Sequence, residues 1–478
     1  MNSNNALLLN LVNQAKTIQR QPIRSDADIT AAETLPVNTG SFLLEGDLTG
    51  LAAGQRGAVE SVLRGFNILL TGPAGTGKSH TIKRIKEIYE ANKKTIGVTS
   101  TTGASALLIE GKTIHSWSGI GICAYKDSAL KRVTQYTKPQ QRIRSTHLLI
   151  IDEVSMMPAH LLDILDYVFR IVRNCARPFG GMQIVLCGDF FQLSPVKCNN
   201  YAFEAECWKD GIQEVHELTE IFRQTDMAFC KALNEIRVGE ISQETMAMVK
   251  SCIGREFKGD IKPTELFPVN QDVSAFNDNE LYKLATPENP IRAIDAYDEL
   301  IEKPRPRIPR DAKFLAEAKS RLDKECLAPA VLELCVGAQV MLTKNIDLDA
   351  GLANGSRGIL IGFAAGGQPV VKFVNDVVYQ LQVNMWVIRI NETCKIRRTQ
   401  FPLRTAWSIS QHKAQGVTLD LVRMDLGSKI FADGQTYTAI SRARTLEGLS
   451  ISHIDWDRIF VNQKVKAFYN QYRHPSNK

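Results

Sequence analysis

The sequence predicts an α/β fold, with parallel strands joined by helices and more than one domain. Three observations predict it. The chain has 478 residues, more than one hydrophobic core usually supports. Short apolar runs at residues 65–70, 95–99, 147–151 and 184–186 read as buried strands with helical patterns between them, the alternation of a parallel sheet with helical crossovers. The first run enters a glycine-rich loop and then a helical stretch, the local order of a phosphate-binding turn.

Composition narrows the class. Apolar residues at 44% and charged residues at 23% exclude a disordered chain, a fibrous repeat or a coiled coil, and no solenoid period is present. A formal charge of +7 makes a nucleic-acid partner reasonable without establishing one. The ten cysteines are scattered, with no CxxC pair and no Cys/His cluster at zinc spacing. They read as reduced thiols of an intracellular compartment, be it cytoplasm, nucleus or a viral or phage replication site, with no metal site built from them. No run reaches the roughly 18 apolar residues of a membrane span. The N-terminus, MNSNNALLLNLVNQAK, lacks the basic flank and cleavage site of a secretory signal, while a transit peptide stays open. Residues 1–45 read as a loosely ordered extension.

The first informative element is the loop. Thr71-Gly72-Pro73-Ala74-Gly75-Thr76-Gly77-Lys78-Ser79 completes the pattern GxxxxGK[ST], and residues 81–92 continue as a helix. Glycines let backbone N–H groups face phosphate oxygens, and the helix N-terminus favours the anion. Lys78 neutralises the terminal phosphates, and the Ser79 hydroxyl can ligate magnesium. Gly72 through Ser79 are therefore the expected nucleotide-binding residues. Such a loop needs an acid on a second strand, and residues 147–151 deliver Asp152 and Glu153. Asp152 is expected to bind magnesium, and Glu153 to orient or deprotonate the attacking water. Adjacent acids after a strand also suit a plain helix start, and the upstream loop is what favours the catalytic reading.

The third element is GGMQIVLCGDFFQLSPV, residues 180–196, an apolar run that breaks into Gly188, Asp189 and Gln192. Ligands of parallel α/β sheets bind beyond the carboxyl ends of the strands, so these residues fall on the same edge as Lys78 and Asp152.

Longer segments follow one another in order between about residues 46 and 455. Leu51-Ala52-Ala53-Gly54-Gln55 precedes the loop. Thr99-Ser100-Thr101-Thr102-Gly103-Ala104 and Thr113-Ile114-His115-Ser116-Trp117 follow it. Arg177-Pro178-Phe179-Gly180-Gly181-Met182-Gln183 runs into Gly188-Asp189-Phe190-Phe191-Gln192-Leu193. Further on stand Leu218-Thr219-Glu220-Ile221-Phe222-Arg223-Gln224, Leu266-Phe267-Pro268-Val269-Asn270, Ser410-Gln411-His412-Lys413-Ala414-Gln415-Gly416 and Tyr437-Thr438-Ala439-Ile440-Ser441-Arg442.

Together these segments resemble the Pif-one (petite integration frequency) helicases, relatives of the RecD-like group in helicase superfamily 1B. The resemblance implies two RecA-like P-loop NTPase domains with a small wedge insertion and an SH3-like β-barrel insertion. The implied boundaries are 46–205 for the first domain, with the wedge at 118–145. The second takes 206–354 and 403–478, with the barrel at 355–402. By the same resemblance Gln55 contacts the adenine and Gly416 the nucleotide, while Gln192 contacts the γ-phosphate or its attacking water. Thr101, Thr102, His115, Ser116, Trp117, Asn270, His412 and Lys413 contact DNA, and Arg223 and Arg442 are arginine fingers reaching a nucleotide between the two domains. Two positions depart from the family pattern: Ser194 replaces a proline, and Ala414 replaces a serine, removing one hydroxyl from the strand contact.

Physical chemistry supports the arginine assignments. Phosphoryl transfer builds charge that one lysine leaves uncompensated, and a planar, permanently charged guanidinium suits that task. Phe190 and Phe191 are expected to connect Gln192 to the DNA side. Lys303-Pro304-Arg305-Pro306-Arg307-Ile308-Pro309-Arg310 reads as a solvated linker more than a phosphate track, and Lys395-Ile396-Arg397-Arg398 could follow a phosphate backbone. Lys131, Arg132, Lys138, Arg142 and Arg144 fall in the expected wedge.

The implied activity is ATP- and Mg2+-dependent unwinding of DNA with 5′ to 3′ movement. The expected partners are single-stranded DNA and single-strand/duplex junctions, with no membrane, and the chain is expected to be monomeric in solution. A translocase that remodels protein–DNA complexes, or an ATP-gated nucleic-acid binding module, are the alternative readings.

Overall fold

Four runs dense in Ile, Leu and Val form the middle of one sheet, because strands covered on both faces need apolar residues at successive positions. They are β1 (Ile68–Thr71), β2 (Ile96–Ser100), β4 (Leu148–Asp152) and β5 (Gln183–Cys187). With β3 (Lys112–Thr113) and β6 (Glu214–Glu217) they make a six-stranded sheet in the order β3-β2-β4-β5-β1-β6, parallel throughout. The helix Lys78–Ala91 places Ile82, Ile85 and Tyr89 at helical spacing in the core that Ile68, Leu70, Ile150 and Val185 supply. Each such side chain contributes about 1.5–3 kcal/mol on burial.

The structure is a computed structural model that describes residues 44–473 apart from 110, 122, 196–197, 223–225, 258–261, 269, 303–311, 348–349, 353, 391–393, 412–413 and 416. The expected extension, nearly all of 1–45, and the basic run 303–310 lie outside the described residues. Among the described residues no helix is long and apolar enough to cross a membrane.

The chain divides into two compact units, 1–225 with 461–478, and 226–460. The expected boundaries differ, since they began the second domain at 206 and carried it to 478. The first unit keeps 206–225 because β6 pairs with β1. It takes the chain's end because the helix Gln463–Arg473 carries Phe468 and Tyr469. Phe468 packs against Phe190, Phe203 and Trp208, while Tyr469 stacks on Phe191. The segment 118–145 holds two short helices, Lys126–Thr134 and Thr137–Ser145.

In the second unit β7 (Thr264–Phe267) is followed by antiparallel strands. These are β8 (Arg292–Asp295), β9 (Tyr297–Glu302), β10 (Val331–Leu334), β11 (Gln339–Leu342), β12 (Arg357–Phe363), β13 (Pro369–Phe373), β14 (Val378–Gln380), β15 (Asn384–Arg389), β16 (Cys394–Gln400) and β17 (Leu403–Thr405). The strands β18 (Ser408–Ser410), β19 (Val422–Leu426) and β20 (Leu449–Ile454) then rejoin β7 in a parallel sheet ordered β18-β7-β19-β20. The antiparallel region is larger than the expected 355–402. Its five-stranded sheet, β14-β13-β12-β11-β17, recruits strands on either side, and β16 pairs with both β15 and β9.

That last pairing changes the meaning of the basic run at 395–398. Arg398 is only 1% exposed on its side chain and forms a bidentate pair with Asp298 on β9, at 2.9 and 2.8 Å, and a third contact of 2.7 Å to Asp323. Arg397 pairs with Glu299. Two of the run's three cations hold β16 to its neighbours, so a phosphate track through all of them is not what this sheet presents.

Candidate nucleotide and nucleic-acid site

The loop after β1 is shaped by backbone that favours glycine. Gly77 has φ +80°, and a Cβ there would sit 2.3 Å from the Gln55 Nε2. Gln55 reaches in from the preceding helix: its Nε2 donates to the Thr76 carbonyl at 3.2 Å, and its Oε1 accepts from the Ala52 N–H. The Thr76 hydroxyl donates to the Pro73 carbonyl at 3.0 Å. Lys78 opens the following helix, and its ammonium donates to the carbonyls of Gly72 and Pro73 at 2.7 and 2.9 Å, so the cation is held over the loop. Ser79 is exposed beside it, and Ala74 and Gly75 complete the turn.

Register places the acids next to this loop. Strands β4, β5 and β1 are neighbours, Ile151 opposite Leu186 and Leu70 opposite Cys187, so their carboxyl ends lie on one edge. Asp152 Oδ1 accepts the Glu153 N–H at 2.8 Å. Burial raises the Asp152 carboxyl above the ordinary carboxylate range, opposed by that N–H, the Cys187 thiol and the Lys78 charge. Burial also pushes the Cys187 thiol well up, helped by Asp152. A half-buried carboxylate with an exposed hydroxyl on the same edge is a hard oxygen donor set, and a cation would offset the cost of holding that charge away from water. Asp152 and Ser79 therefore fit magnesium.

Glu153 adopts φ 54° and ψ 45°, left-handed for a residue with a full side chain. Its carbonyl accepts the Thr101 hydroxyl at 2.9 Å, which links the threonine segment to the end of β4.

Beyond β5 the chain turns sharply. Gly188 has φ +152°, and a Cβ there would lie 2.9 Å from the Val154 nitrogen, so glycine lets this turn approach the end of β4. The Gln192 N–H donates to the Asp189 carbonyl at 2.9 Å, and the Phe191 N–H to the Asp189 carboxylate at 3.2 Å. Asp189 and Gln192 are both buried. Phe190 and Phe191, expected to connect Gln192 to the DNA side, lie among aromatic side chains. Phe190 is enclosed by Tyr201, Phe203, Trp208 and Phe468, and Phe191 stacks on Tyr469 at 4.8 Å.

The expected DNA-contacting residues separate into groups. Thr101, Thr102 and His115 border a depression of about 320 Å³ together with Met156 and His160. Burial and the neighbouring His160 lower the His115 pKa below 6.5. Ser116 is half-buried near them, its N–H donating to the Thr113 hydroxyl. Trp117 is a correction: it is 4% exposed, meets Phe169 edge-on at 6.0 Å, and has Arg142 over its ring. Gly97 on β2 leaves room for the indole, since a Cβ there would lie 2.8 Å from it. The ring is core, and no base can stack on it in this arrangement. Arg142 donates to the Trp117 carbonyl at 2.6 Å and Arg144 to that of Val172 at 2.9 Å, so these two wedge-region cations brace the fold.

In the second unit Asn270 begins the helix Asn270–Leu284. Arg223, His412, Lys413 and Gly416 lie outside the described residues. Arg442 is 2% exposed, and its guanidinium donates to the carbonyls of Thr438, Ala414 and Val417 and to the Ser441 hydroxyl. In this arrangement it braces the segment that flanks Gly416. Sequence reasoning missed Tyr469 and Cys187. The only sequence signal for Tyr469 is the aromatic spacing in Phe468-Tyr469-Asn470-Gln471-Tyr472, which reads as ordinary helix packing.

Comparison with known proteins adds an independent line. The PIF1-like helicase family matches residues 51–247, and the 2B domain of DNA helicase Pif1 matches residues 317–363. The chain is similar to the ATP-dependent DNA helicase PIF1 of Danio rerio, 35% identical over 460 residues that span 94% of this chain and 68% of that protein. It is similar to the crystal structure of Pif1 helicase from Candida albicans, with a TM-score of 0.72 at 33% identity over 88% of this chain and 99% of that one. It is also similar to Bacteroides Pif1 bound to single-stranded DNA, with a TM-score of 0.60 at 27% identity over 89% of this chain and 98% of that one.

Proposed function

The chain belongs to the PIF1-like helicase family and is an ATP-dependent DNA helicase, and from that premise we propose how its residues do the work and in which direction it moves. The observation that carries the proposal is the shared edge of β4, β5 and β1, where Asp152 and Glu153, Gln192 and the Lys78 loop lie at the carboxyl ends of three adjacent strands.

The loop amides and Lys78 bind the phosphates of ATP, and Gln55 lies against the loop where the base would meet it. Magnesium held by Ser79 and Asp152 would neutralise charge on the β- and γ-phosphate oxygens. Glu153 orients a water and accepts its proton as the water oxygen bonds to the γ-phosphorus and the bond to the β-phosphate oxygen breaks. Gln192 donates its amide to the γ-phosphate or that water, and Arg223 and Arg442 add positive charge as it accumulates. Arg442 would have to exchange its present carbonyl partners for this. Thr101, Thr102, His115 and Ser116 in the first unit, with Asn270, His412 and Lys413 in the second, contact single-stranded DNA. The strand is tracked 5′ to 3′, and junctions with duplex are where unwinding begins.

The test is hydrolysis with and without single-stranded DNA, followed by strand displacement on duplexes with a 5′ or a 3′ tail. Stimulation by DNA and displacement on the 5′-tailed duplex alone are expected. Hydrolysis indifferent to DNA overturns the motor, and displacement on the 3′ tail overturns the direction.

A further inference from the structure

A side chain from the far end of the chain reaches the centre of this machinery. Tyr469, on the helix Gln463–Arg473, is 1% exposed. Its hydroxyl lies 2.5 Å from the Thr71 hydroxyl, accepts the Phe190 N–H at 3.2 Å and donates to the Asp189 carboxylate at 3.4 Å. We propose that Tyr469 is a positioning residue for ATP hydrolysis, its phenol holding the strand that feeds the phosphate loop and the turn that carries Gln192 in one fixed arrangement. The inference rests on the roles given above to Lys78 and Gln192.

A phenolic oxygen has one proton to give and two lone pairs to receive. If it gives its proton to Asp189, it can receive the Phe190 N–H and the Thr71 hydroxyl proton, and all three partners are buried. Each contact bears on the chemistry. Thr71 is the last residue of β1 and adjoins Gly72. Asp189 accepts the Phe191 N–H on its carboxylate and the Gln192 N–H on its carbonyl, so its placement sets where the Gln192 amide starts from. The Tyr469 ring stacks on Phe191 at 4.8 Å with an interplanar angle of 13°, which fixes the phenol's approach. A buried phenol needs only one acceptor to be satisfied, and packing alone does not require three partners drawn from two catalytic segments. Displacement of a catalytic group by about 1 Å can cost on the order of 100-fold in rate, so loss of one oxygen atom here is expected to register in turnover.

Tyr469→Phe removes that oxygen and leaves the stacked ring. The expected result is a DNA-stimulated kcat lower by about tenfold, with KM for ATP and affinity for single-stranded DNA within about twofold of the parent. Phe468→Leu, one residue away on the same helix, loosens the aromatic packing without touching the phenol, and its kcat per folded molecule should stay at the parent value. Because Tyr469 acts in part through the Gln192 turn and in part through Thr71, the losses of Tyr469→Phe and Gln192→Ala combined should be less than additive in free energy. The proposal is overturned by a folded Tyr469→Phe protein with unchanged kcat, by a change confined to KM, by equal losses in Tyr469→Phe and Phe468→Leu, or by losses that add to those of Gln192→Ala. If the parent protein itself shows no DNA-stimulated hydrolysis, the motor reading fails first and this inference falls with it. A responsive parent with an indifferent Tyr469→Phe variant sinks this inference alone.

Discussion

Glu153 occupies the left-handed region, where a side chain with a Cβ costs roughly 1–2 kcal/mol. The surroundings over-determine that conformation. Its N–H is held by Asp152, its carbonyl receives the Thr101 hydroxyl, and Gly188 closes on the next peptide. Strain concentrated on the residue proposed to handle the attacking water separates what stability wants from what chemistry needs. Asparagine tolerates the left-handed region better than glutamate but cannot accept the proton. Glu153→Asn should therefore keep or raise the thermal midpoint and retain ATP binding, while hydrolysis drops by at least about 100-fold. A midpoint several degrees lower would show that the conformation is not strained. The acid itself was legible in the sequence because it follows Asp152 at a strand end. Its backbone conformation was not, since nothing local demands it. Trp117 shows the opposite failure: its place beside the threonine turn suggested a stacking surface, whereas a glycine twenty residues earlier, Gly97, opens the core slot that takes the ring.

Among elements, strands β1, β2, β4 and β5 were legible because burial on both faces writes a continuous apolar run into each, and the parallel order follows from their helical crossovers. The antiparallel region was legible in kind but not in extent. Pairing of β9 with β16 joins residues 297–302 to 394–400, a separation no local pattern reports. The same pairing buries Arg398, and although burial disfavours its charge, Asp298 and Asp323 raise its pKa above the ordinary value. Arg398 is buried while Asp298 and Asp323 keep contact with water, so removing the guanidinium costs less than the loss of one partner from a fully buried pair, about 1–3 kcal/mol. Arg398→Met should thus lower the stability of the protein by an amount of that order, read as the urea midpoint. Affinity for single-stranded DNA, measured under conditions where the variant is folded, should stay near that of the parent. Unchanged stability with weakened DNA binding would return Arg398 to the phosphate backbone.

For the whole molecule, the decisive feature is that the first unit is discontinuous in sequence. Its sheet is complete by residue 217, yet it takes back residues 461–478 after the chain has built the second unit. The sequence could not announce this, because an amphipathic C-terminal helix fits either unit equally well, and only the aromatic surface formed by Phe190, Phe203 and Trp208 decides where it docks. Val465, Phe468 and Tyr469 are all buried there. At about 1.5–3 kcal/mol each, their burial contributes roughly 5 kcal/mol or more. That is a large share of the roughly 5–15 kcal/mol that holds a typical domain folded. A chain ending at 460 should therefore melt about 10 °C or more below the parent, since one kcal/mol moves the midpoint of a domain this size by roughly 2–4 °C. Because the lost contacts are non-covalent and confined to one helix, a synthetic peptide of residues 461–478 should bind the shortened chain and raise its midpoint in proportion to the logarithm of peptide concentration. The same peptide with Phe468 and Tyr469 replaced by alanine should not. A shortened chain that melts with the parent would mean that the first unit closes its core without its last helix, and the aromatic contacts would then be surface dressing.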